Sequence, residues 1–133
     1  MKIEHAGELY AIYAPIEEIK KDTEWFGENS LPLQASRMVY EKGKVFKPHK
    51  HILNPRIIKR TQEAFIVISG RLLIEVFNEA KESIATFEAK AGDLVLVYKG
   101  YHSVKVVEDC VAYEVKSGSY DGYLSEEKEW LNV

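Results

Sequence analysis

Residues 63–77 read EAFIVISGRLLIEVF, and this stretch decides the fold class of the chain. Isoleucine, valine and phenylalanine recur on both sides of Gly70, which favours strands over helix. Because glycine commonly marks a turn, we expect two strands here, at residues 63–69 and 71–77, with Gly70 between them. The stretch therefore predicts a β protein.

Side-chain alternation along the first of these strands predicts its two faces. Side chains two positions apart share a face of a strand. One face then carries Glu63, Phe65, Val67 and Ser69, and the other carries Ala64, Ile66 and Ile68. If Glu63 faces the interior, Ile66 and Ile68 face outward and are too apolar to be left in water. We expect a second sheet, an N-terminal strand or a partner subunit to cover them, and a homodimer is the expected assembly.

The same rhythm of strands and turns continues on both sides. Strand patterns occupy residues 33–41, 83–87, 93–98, 102–107 and 111–116, and turn residues lie at 78–81, 90–92 and 99–100. Strands that recur about every ten residues indicate an all-β sandwich or barrel. The sequence therefore predicts an all-β fold.

Two segments depart from this rhythm, at residues 16–27 and 125–131. The first is expected to be a short helix ending at Gly27, and the second a helical turn with Ser125 as its N-cap. Without a repeat or linker, residues 1–133 form one expected domain. Its first 32 residues should add a strand or two to the main sheet, and residues 117–133 form a tail.

Composition excludes several classes of protein. The chain has 133 residues, 46% of them hydrophobic, and a net charge of -3. A nucleic-acid binder would need a basic stripe, and a membrane protein would need a long apolar span or a polybasic run. The single cysteine, Cys110, allows no intrachain disulfide and suits a reducing compartment. Since the first residues lack a signal-peptide pattern, the expected location is cytoplasmic.

Three of the four histidines form a pattern with one glutamate. His49 and His51 share a face if their segment is extended. Eleven residues separate His51 from Glu63, and His102 begins a later strand pattern. Three imidazoles and a carboxylate are a ligand set for a divalent transition metal. A lone histidine such as His5 is more simply a surface residue. Glu63 strengthens the metal interpretation, because burying an unpaired carboxylate beside an apolar strand is costly.

These residues, with their glycines, resemble the two motifs of the cupin superfamily. The first motif is matched by Gly43, which is followed after five residues by His49-x-His51, and by Glu63, which is followed after six residues by Gly70. The gap before Glu63 is longer than in that motif. The second motif is matched by Gly92-Asp93, Gly100 and His102, except that Tyr98 replaces a proline and the step from glycine to histidine is one residue shorter. The resemblance covers residues 33–116. It implies a double-stranded β-helix (cupin or jelly-roll) barrel and one divalent metal, iron, manganese, zinc, nickel or cobalt, bound by His49, His51, Glu63 and His102.

Further candidate residues surround this set. Arg56 and Arg60 lie in the loop before Glu63 and could clamp a carboxylate or phosphate, although salt bridges or solvent exposure would explain each arginine alone. Tyr101 and Glu114 are the candidates for an acid–base role. The chain also resembles a subgroup of small cupins associated with polysaccharide and sugar-nucleotide metabolism.

Four functions remain open from the sequence. The leading one is a metal-dependent protein acting on a small polar metabolite, such as a sugar derivative. The second is a metal-independent sugar-nucleotide isomerase or epimerase, in which His49 and His51 act as acid or base. The third is an iron-dependent dioxygenase. The fourth is a non-catalytic module that binds a small-molecule ligand.

Overall fold

A computed structural model describes residues 1–31, 33–118 and 128–132, and these residues form an antiparallel all-β fold, as the sequence predicts. Its strands are β1 (Lys2–His5), β2 (Glu8–Ala14), β3 (Asp22–Phe26), β4 (Ala35–Val39), β5 (Glu63–Phe77), β6 (Ser83–Lys90), β7 (Leu94–Val97) and β8 (Tyr101–Lys116). Helix in the described part of the chain is limited to a single 3-10 turn, Ile16–Glu18. No described helix has the length and apolarity needed to cross a membrane.

β5 is one continuous strand, so the expectation of two strands separated by a turn at Gly70 is wrong. Gly70 bends the strand instead, with a φ of 78° and register shifts on both of its sides. A side chain at Gly70 would run into the backbone carbonyl of Asp109 on β8. Only glycine combines this left-handed backbone with so close an approach.

β8 is continuous as well, although the sequence predicts separate strands at residues 102–107 and 111–116. It pairs antiparallel with β5 from Glu63↔Lys116 to Phe77↔Tyr101. Since a strand has two edges, β7 and β6 share the other edge of β5. β7 pairs with the first half of β5 and β6 pairs with the second. The bend thus turns one sheet into two facing halves.

The core lies between these two halves. Phe65 and Val67 from the first half of β5 belong to one buried cluster with Leu72, Ile74 and Val76 from the second half. Burial of each such side chain contributes about 1.5–3 kcal/mol. β1 and β2 extend the sheet beyond β7, which confirms that the N-terminal residues add strands to it.

The expected helix at residues 16–27 is wrong beyond its first turn. Residues 22–26 form β3, which pairs with β4 in the register Asp22↔Val39 to Phe26↔Ala35. Phe26 anchors this ribbon, because it is buried with Ala64 and Leu96 on the outer face of the sheet. Tertiary burial of an aromatic side chain outweighs the helical pattern here. Of the expected helical turn at 125–131, residues 125–127 lie outside the described residues, and residues 128–131 are not helical.

Asp93 of the second motif stabilises the fold between β6 and β7. It is fully buried and accepts hydrogen bonds from the Tyr13 hydroxyl at 2.7 Å and from the backbone N–H groups of Ile16 and Lys90 at 2.8 and 2.9 Å. Burial raises the pKa of this carboxyl, but the hydrogen bonds and the Lys90 charge outweigh it and lower the pKa overall. The Gly-Asp motif is therefore structural.

Residues 41–61, called here the histidine segment, contain neither strand nor helix, and every one of them is exposed. His49 and His51 thus do not lie in a strand, which is the condition under which alternation would place them on one face. Pro48 has no backbone N–H to donate to a neighbouring strand, which weakens pairing locally. The segment joins β4 to β5 across the surface.

Candidate functional site

Glu63 and His102 contact each other inside the bend of the β5–β8 ladder. The Glu63 Oε2 atom lies 2.8 Å from the His102 Nε2 atom. In the ladder, however, His102 is paired with Val76, thirteen positions after Glu63 on β5. A straight strand would separate those positions by about 43 Å. The bend at Gly70 therefore builds this contact.

Alternation explains why both side chains point inward. Glu63 shares its face with the buried Phe65, and His102 is paired with the fully buried Val76. The rings of Phe65 and His102 lie 6.2 Å apart between centroids. The Glu63 side chain is 14% exposed and that of His102 is 28% exposed, so the pair is mostly shielded but open to solvent.

The charge state of Glu63 follows from this contact. The hydrogen bond with His102 lowers the pKa of the Glu63 carboxyl, and the charges of His102 and Lys128 lower it further. Burial acts in the opposite direction but is outweighed. Glu63 is therefore an ionised carboxylate at neutral pH.

Glu114 adds a second carboxyl group beside Glu63. It is paired with Phe65 in the ladder and so lies on the inner side of β8. Partial burial of its carboxyl raises the pKa of Glu114, and the charge and hydrogen bond of Glu63 raise it further. Glu63, Glu114 and His102 are called here the acid–imidazole cluster. Its two carboxyl groups have pKa values shifted in opposite directions, which is a feature of acid–base sites.

Tyr101, the other acid–base candidate, is held outside this cluster. It adjoins His102 on β8, so its side chain points to the opposite face. Its hydroxyl donates a hydrogen bond of 2.7 Å to the Oε1 atom of Glu129, and this bond raises the pKa of Tyr101. The structure thus separates Tyr101 from Glu114.

The histidine segment holds His49 and His51 apart from the cluster. Their ring centroids lie 5.3 Å apart, and the Nδ1 atom of His49 is 2.8 Å from the backbone carbonyl oxygen of Lys47. Among the described residues, no three His, Cys, Asp or Glu side chains are grouped closely enough to hold a metal ion. The four expected ligands therefore form two pairs, His49 with His51 and Glu63 with His102.

The two arginine candidates lie on the exposed segment. Arg60 lines an open pocket of about 300 Å³ together with Leu31, Ile57, Lys59 and Gln62. Gln62 faces away from Glu63, as alternation predicts, and its side-chain oxygen accepts a hydrogen bond of 3.1 Å from the Leu33 N–H. Arg60 thus lies beside the outer ribbon, and Arg56 is exposed.

Two residues near the cluster carry no signal in the sequence. Lys128 and Glu129 lie within the expected helical turn at residues 125–131, in an acidic stretch with no recognisable motif. Their position near β8 depends on how the chain folds back on itself, which no local sequence pattern predicts. Comparisons with protein-family models, with curated proteins and with solved structures found no match to this chain.

Proposed function

We propose that this chain is a metal-binding protein with the double-stranded β-helix barrel of the cupins, acting on a small polar metabolite. The observation that carries the proposal is the 2.8 Å contact between Glu63 and His102. These two expected ligands lie far apart in sequence and along the ladder, yet they meet on one inward face.

The spacing of the two atoms suits a shared metal ion. Bonds of about 2.0–2.2 Å at angles between 90° and the tetrahedral value leave two ligand atoms about 2.8–3.6 Å apart. The Nε2–Oε2 distance of 2.8 Å is close to this range. A small adjustment of either side chain would admit iron, manganese, zinc, nickel or cobalt, each of which accepts imidazole and carboxylate ligands.

His49 and His51 would complete the site if the histidine segment paired with the open edge of β8. Within the described residues, β8 pairs only with β5, which leaves its other edge unpaired. Val106 on β8 is 61% exposed, although its ladder partner Leu72 is buried. The segment carries exposed apolar residues of its own, Val45, Phe46 and Ile52. An edge strand and an apolar segment of this kind can cover each other.

A bound metal would act as a Lewis acid toward a carbonyl or hydroxyl group of the metabolite. The protein would contribute Glu114 as a second carboxyl group near that ion and Arg56 or Arg60 for an anionic group of a sugar derivative. Those two arginines would approach the cluster only with movement of the histidine segment, which joins them to His49 and His51 in the sequence.

Metal content tests the ligand set directly. Purified protein should contain about one equivalent of transition metal by elemental analysis, and Glu63→Gln, His102→Ala and His51→Ala should each lower the occupancy at least tenfold. His5→Ala is the matched control, because His5 lies on β1 outside the cluster. Wild-type protein that resists loading with Zn²⁺ would reject the proposal.

Amide hydrogen exchange tests the pairing of the segment with β8. Addition of Zn²⁺ should slow exchange within residues 44–51 and 103–107, because new strand hydrogen bonds form there. Exchange in β6 should stay unchanged, and His51→Ala should remove the effect. Zinc binding without slower exchange would show that the ion binds without this pairing.

A second candidate function is acid–base catalysis without metal. The opposed pKa shifts of Glu63 and Glu114 favour it, since one carboxyl can accept a proton while its neighbour donates one. Such a set would suit a sugar-nucleotide isomerase or epimerase. A thermal-shift screen of nucleotide sugars on metal-free protein would detect that ligand class. Stabilisation that requires Zn²⁺ would favour the first function instead.

A second copy of the chain is proposed to cover the outer side of the β5–β8 ladder. Ile68 is 50% exposed there, and Tyr113 is 64% exposed on the same side of β8. Together with Val111 and Val115, these residues make an apolar patch that the β3–β4 ribbon does not reach. Light scattering at micromolar concentration should give a dimer mass, and Tyr113→Lys should give a monomer.

A further inference from the structure

The second half of the histidine segment presents large apolar side chains to solvent. Residues 53–60 of this segment are called here the apolar–basic loop. Within it, Leu53 is 99% exposed, Ile57 is 86% exposed and Ile58 is 51% exposed. Single apolar residues at a surface are common, but apolar residues that are exposed together mark a binding surface. The loop therefore differs from a solvated linker, in which polar and small residues predominate.

Positive charge is concentrated in and around the same loop. Residues 42–61 contain seven Lys or Arg side chains and no Asp or Glu, so they carry a charge of +7. Since the net charge of the whole chain is -3, the other residues together carry -10. None of the seven cations forms a salt bridge with any residue that the structure describes. The loop thus offers positive charge to an anionic partner.

An open cavity brings the apolar and the charged side chains of the loop together. It has a volume of about 300 Å³ and is lined by Ile57, Lys59 and Arg60 of the loop and by Leu31 and Gln62. No acidic side chain is among these described lining residues. Two cations and two branched apolar side chains at one opening suit a molecule that is anionic at one end and apolar at the other.

We propose that the apolar–basic loop docks on a lipid surface that contains anionic phospholipids. Leu53 and Ile57 enter the boundary between headgroups and acyl chains, while Lys59 and Arg60 bind lipid phosphate groups. A lipid surface matches both features of the loop, since it accepts apolar side chains and attracts cations. A nucleic acid would match the cations but would leave the apolar side chains in water. No polybasic run indicates this contact, because apolar residues separate the cations in the sequence.

This docking uses a part of the histidine segment that the proposed metal site leaves free. The proposed pairing with β8 involves residues 44–51, whereas the loop begins at Leu53. The loop is exposed in the position that the structure describes, so docking requires neither a metal nor movement of the segment. Failure of metal loading would reject the proposed function, but lipid binding by metal-free protein would still test the loop.

Co-sedimentation with vesicles tests the docking on the full-length, metal-free protein. Vesicles that contain about 30% phosphatidylserine should bind it at least tenfold more tightly than vesicles of phosphatidylcholine alone. Raising the salt concentration from about 0.1 M to about 0.5 M should weaken this binding at least fivefold, because salt screens the attraction. Inorganic phosphate at matched ionic strength should compete no better than chloride, since it lacks an apolar part.

Two pairs of variants separate the apolar contribution from the electrostatic one. Leu53→Gln should weaken binding to the anionic vesicles about tenfold. Met38→Gln is its matched control and should stay within about twofold of the wild type, since Met38 is 56% exposed on β4, outside the loop. Arg60→Gln should weaken binding about fivefold. Lys105→Gln, at an exposed position of β8, should change it less than about twofold.

Equal binding to the two kinds of vesicle would overturn the proposal. Unchanged binding of Leu53→Gln would overturn it as well, because the cations would then serve another anion, such as RNA, that requires no apolar insertion. Circular dichroism should give the same unfolding midpoint for Leu53→Gln and the wild type within about 2 °C, since this side chain is exposed. A loss of vesicle binding in that variant therefore reports on the surface and not on unfolding.

Discussion

The bent β5–β8 ladder and the histidine segment each carry two of the four expected ligands, but only the ladder holds its pair in a fixed environment. Glu63 and His102 lie beside the buried Phe65 and Val76, and they contact each other at 2.8 Å. His49 and His51 lie side by side on an exposed chain without strand partners. A ligand motif therefore becomes a site only where packing fixes the direction of its side chains.

The largest difference in stability between the ladder and the histidine segment is expected for Gly70 and Gly43, the glycines at the two ends of the first motif. Gly70→Ala should lower the free energy of unfolding by about 3 kcal/mol or more, because the added carbon meets Asp109 in a left-handed backbone. Gly43→Ala should cost about 1 kcal/mol, since its φ is also positive but nothing lies within 4 Å of the added carbon. Urea denaturation measures the free energy of unfolding of both variants. Equal losses would contradict a special role for the bend at Gly70 in the fold.

The next contrast compares apolar side chains of similar size. Ile74→Ala on β5 should lower the free energy of unfolding by about 2–5 kcal/mol, because Ile74 is completely buried. Leu53→Ala on the histidine segment should change it by less than about 0.5 kcal/mol, because Leu53 is 99% exposed. A large loss at Leu53 in metal-free protein would show that the segment is already packed against the sheet.

The histidines themselves provide a smaller contrast in metal-free protein. His102→Ala leaves the mostly buried Glu63 carboxylate without its imidazole partner and should cost about 1–2 kcal/mol at pH 7. His49→Ala should cost almost nothing, because the imidazole contacts only exposed groups, the ring of His51 and the backbone of Lys47, among the described residues. Thermal unfolding of the two variants side by side would reveal any difference.

The smallest expected effect concerns Glu114. Since its folded-state pKa is raised above the ordinary value of 4.5, ionised Glu114 costs stability as the pH rises through that pKa. Glu114→Gln should therefore stabilise the chain at pH 7, by less than about 1 kcal/mol because the side chain is solvated. The gain should vanish well below pH 4.5, where the carboxyl is protonated in both states. A gain that persists in acid would mean that packing, not charge, is responsible.

Much of the fold could be predicted from local patterns. Alternation placed Glu63 and Gln62 on opposite faces, and the turn residues located β6 and β7 to within a few positions. The helix expected at residues 16–27 failed because Phe26 is buried against Ala64 and Leu96, which are distant in sequence. His49 and His51 lie outside any strand, because strand formation needs a pairing partner, which no local pattern supplies.

The sequence alone determined the all-β class and which residues of the stretch 63–69 share a face. These depend on side-chain alternation and backbone sterics, which act over a few residues. The tertiary structure alone decided that Gly70 bends a continuous strand, that His102 meets Glu63, that Glu114 lies beside Glu63, and that Glu129 is hydrogen-bonded to Tyr101. Those contacts join residues dozens of positions apart, and they exist only because the register of a long ladder and its single bend bring both ends together.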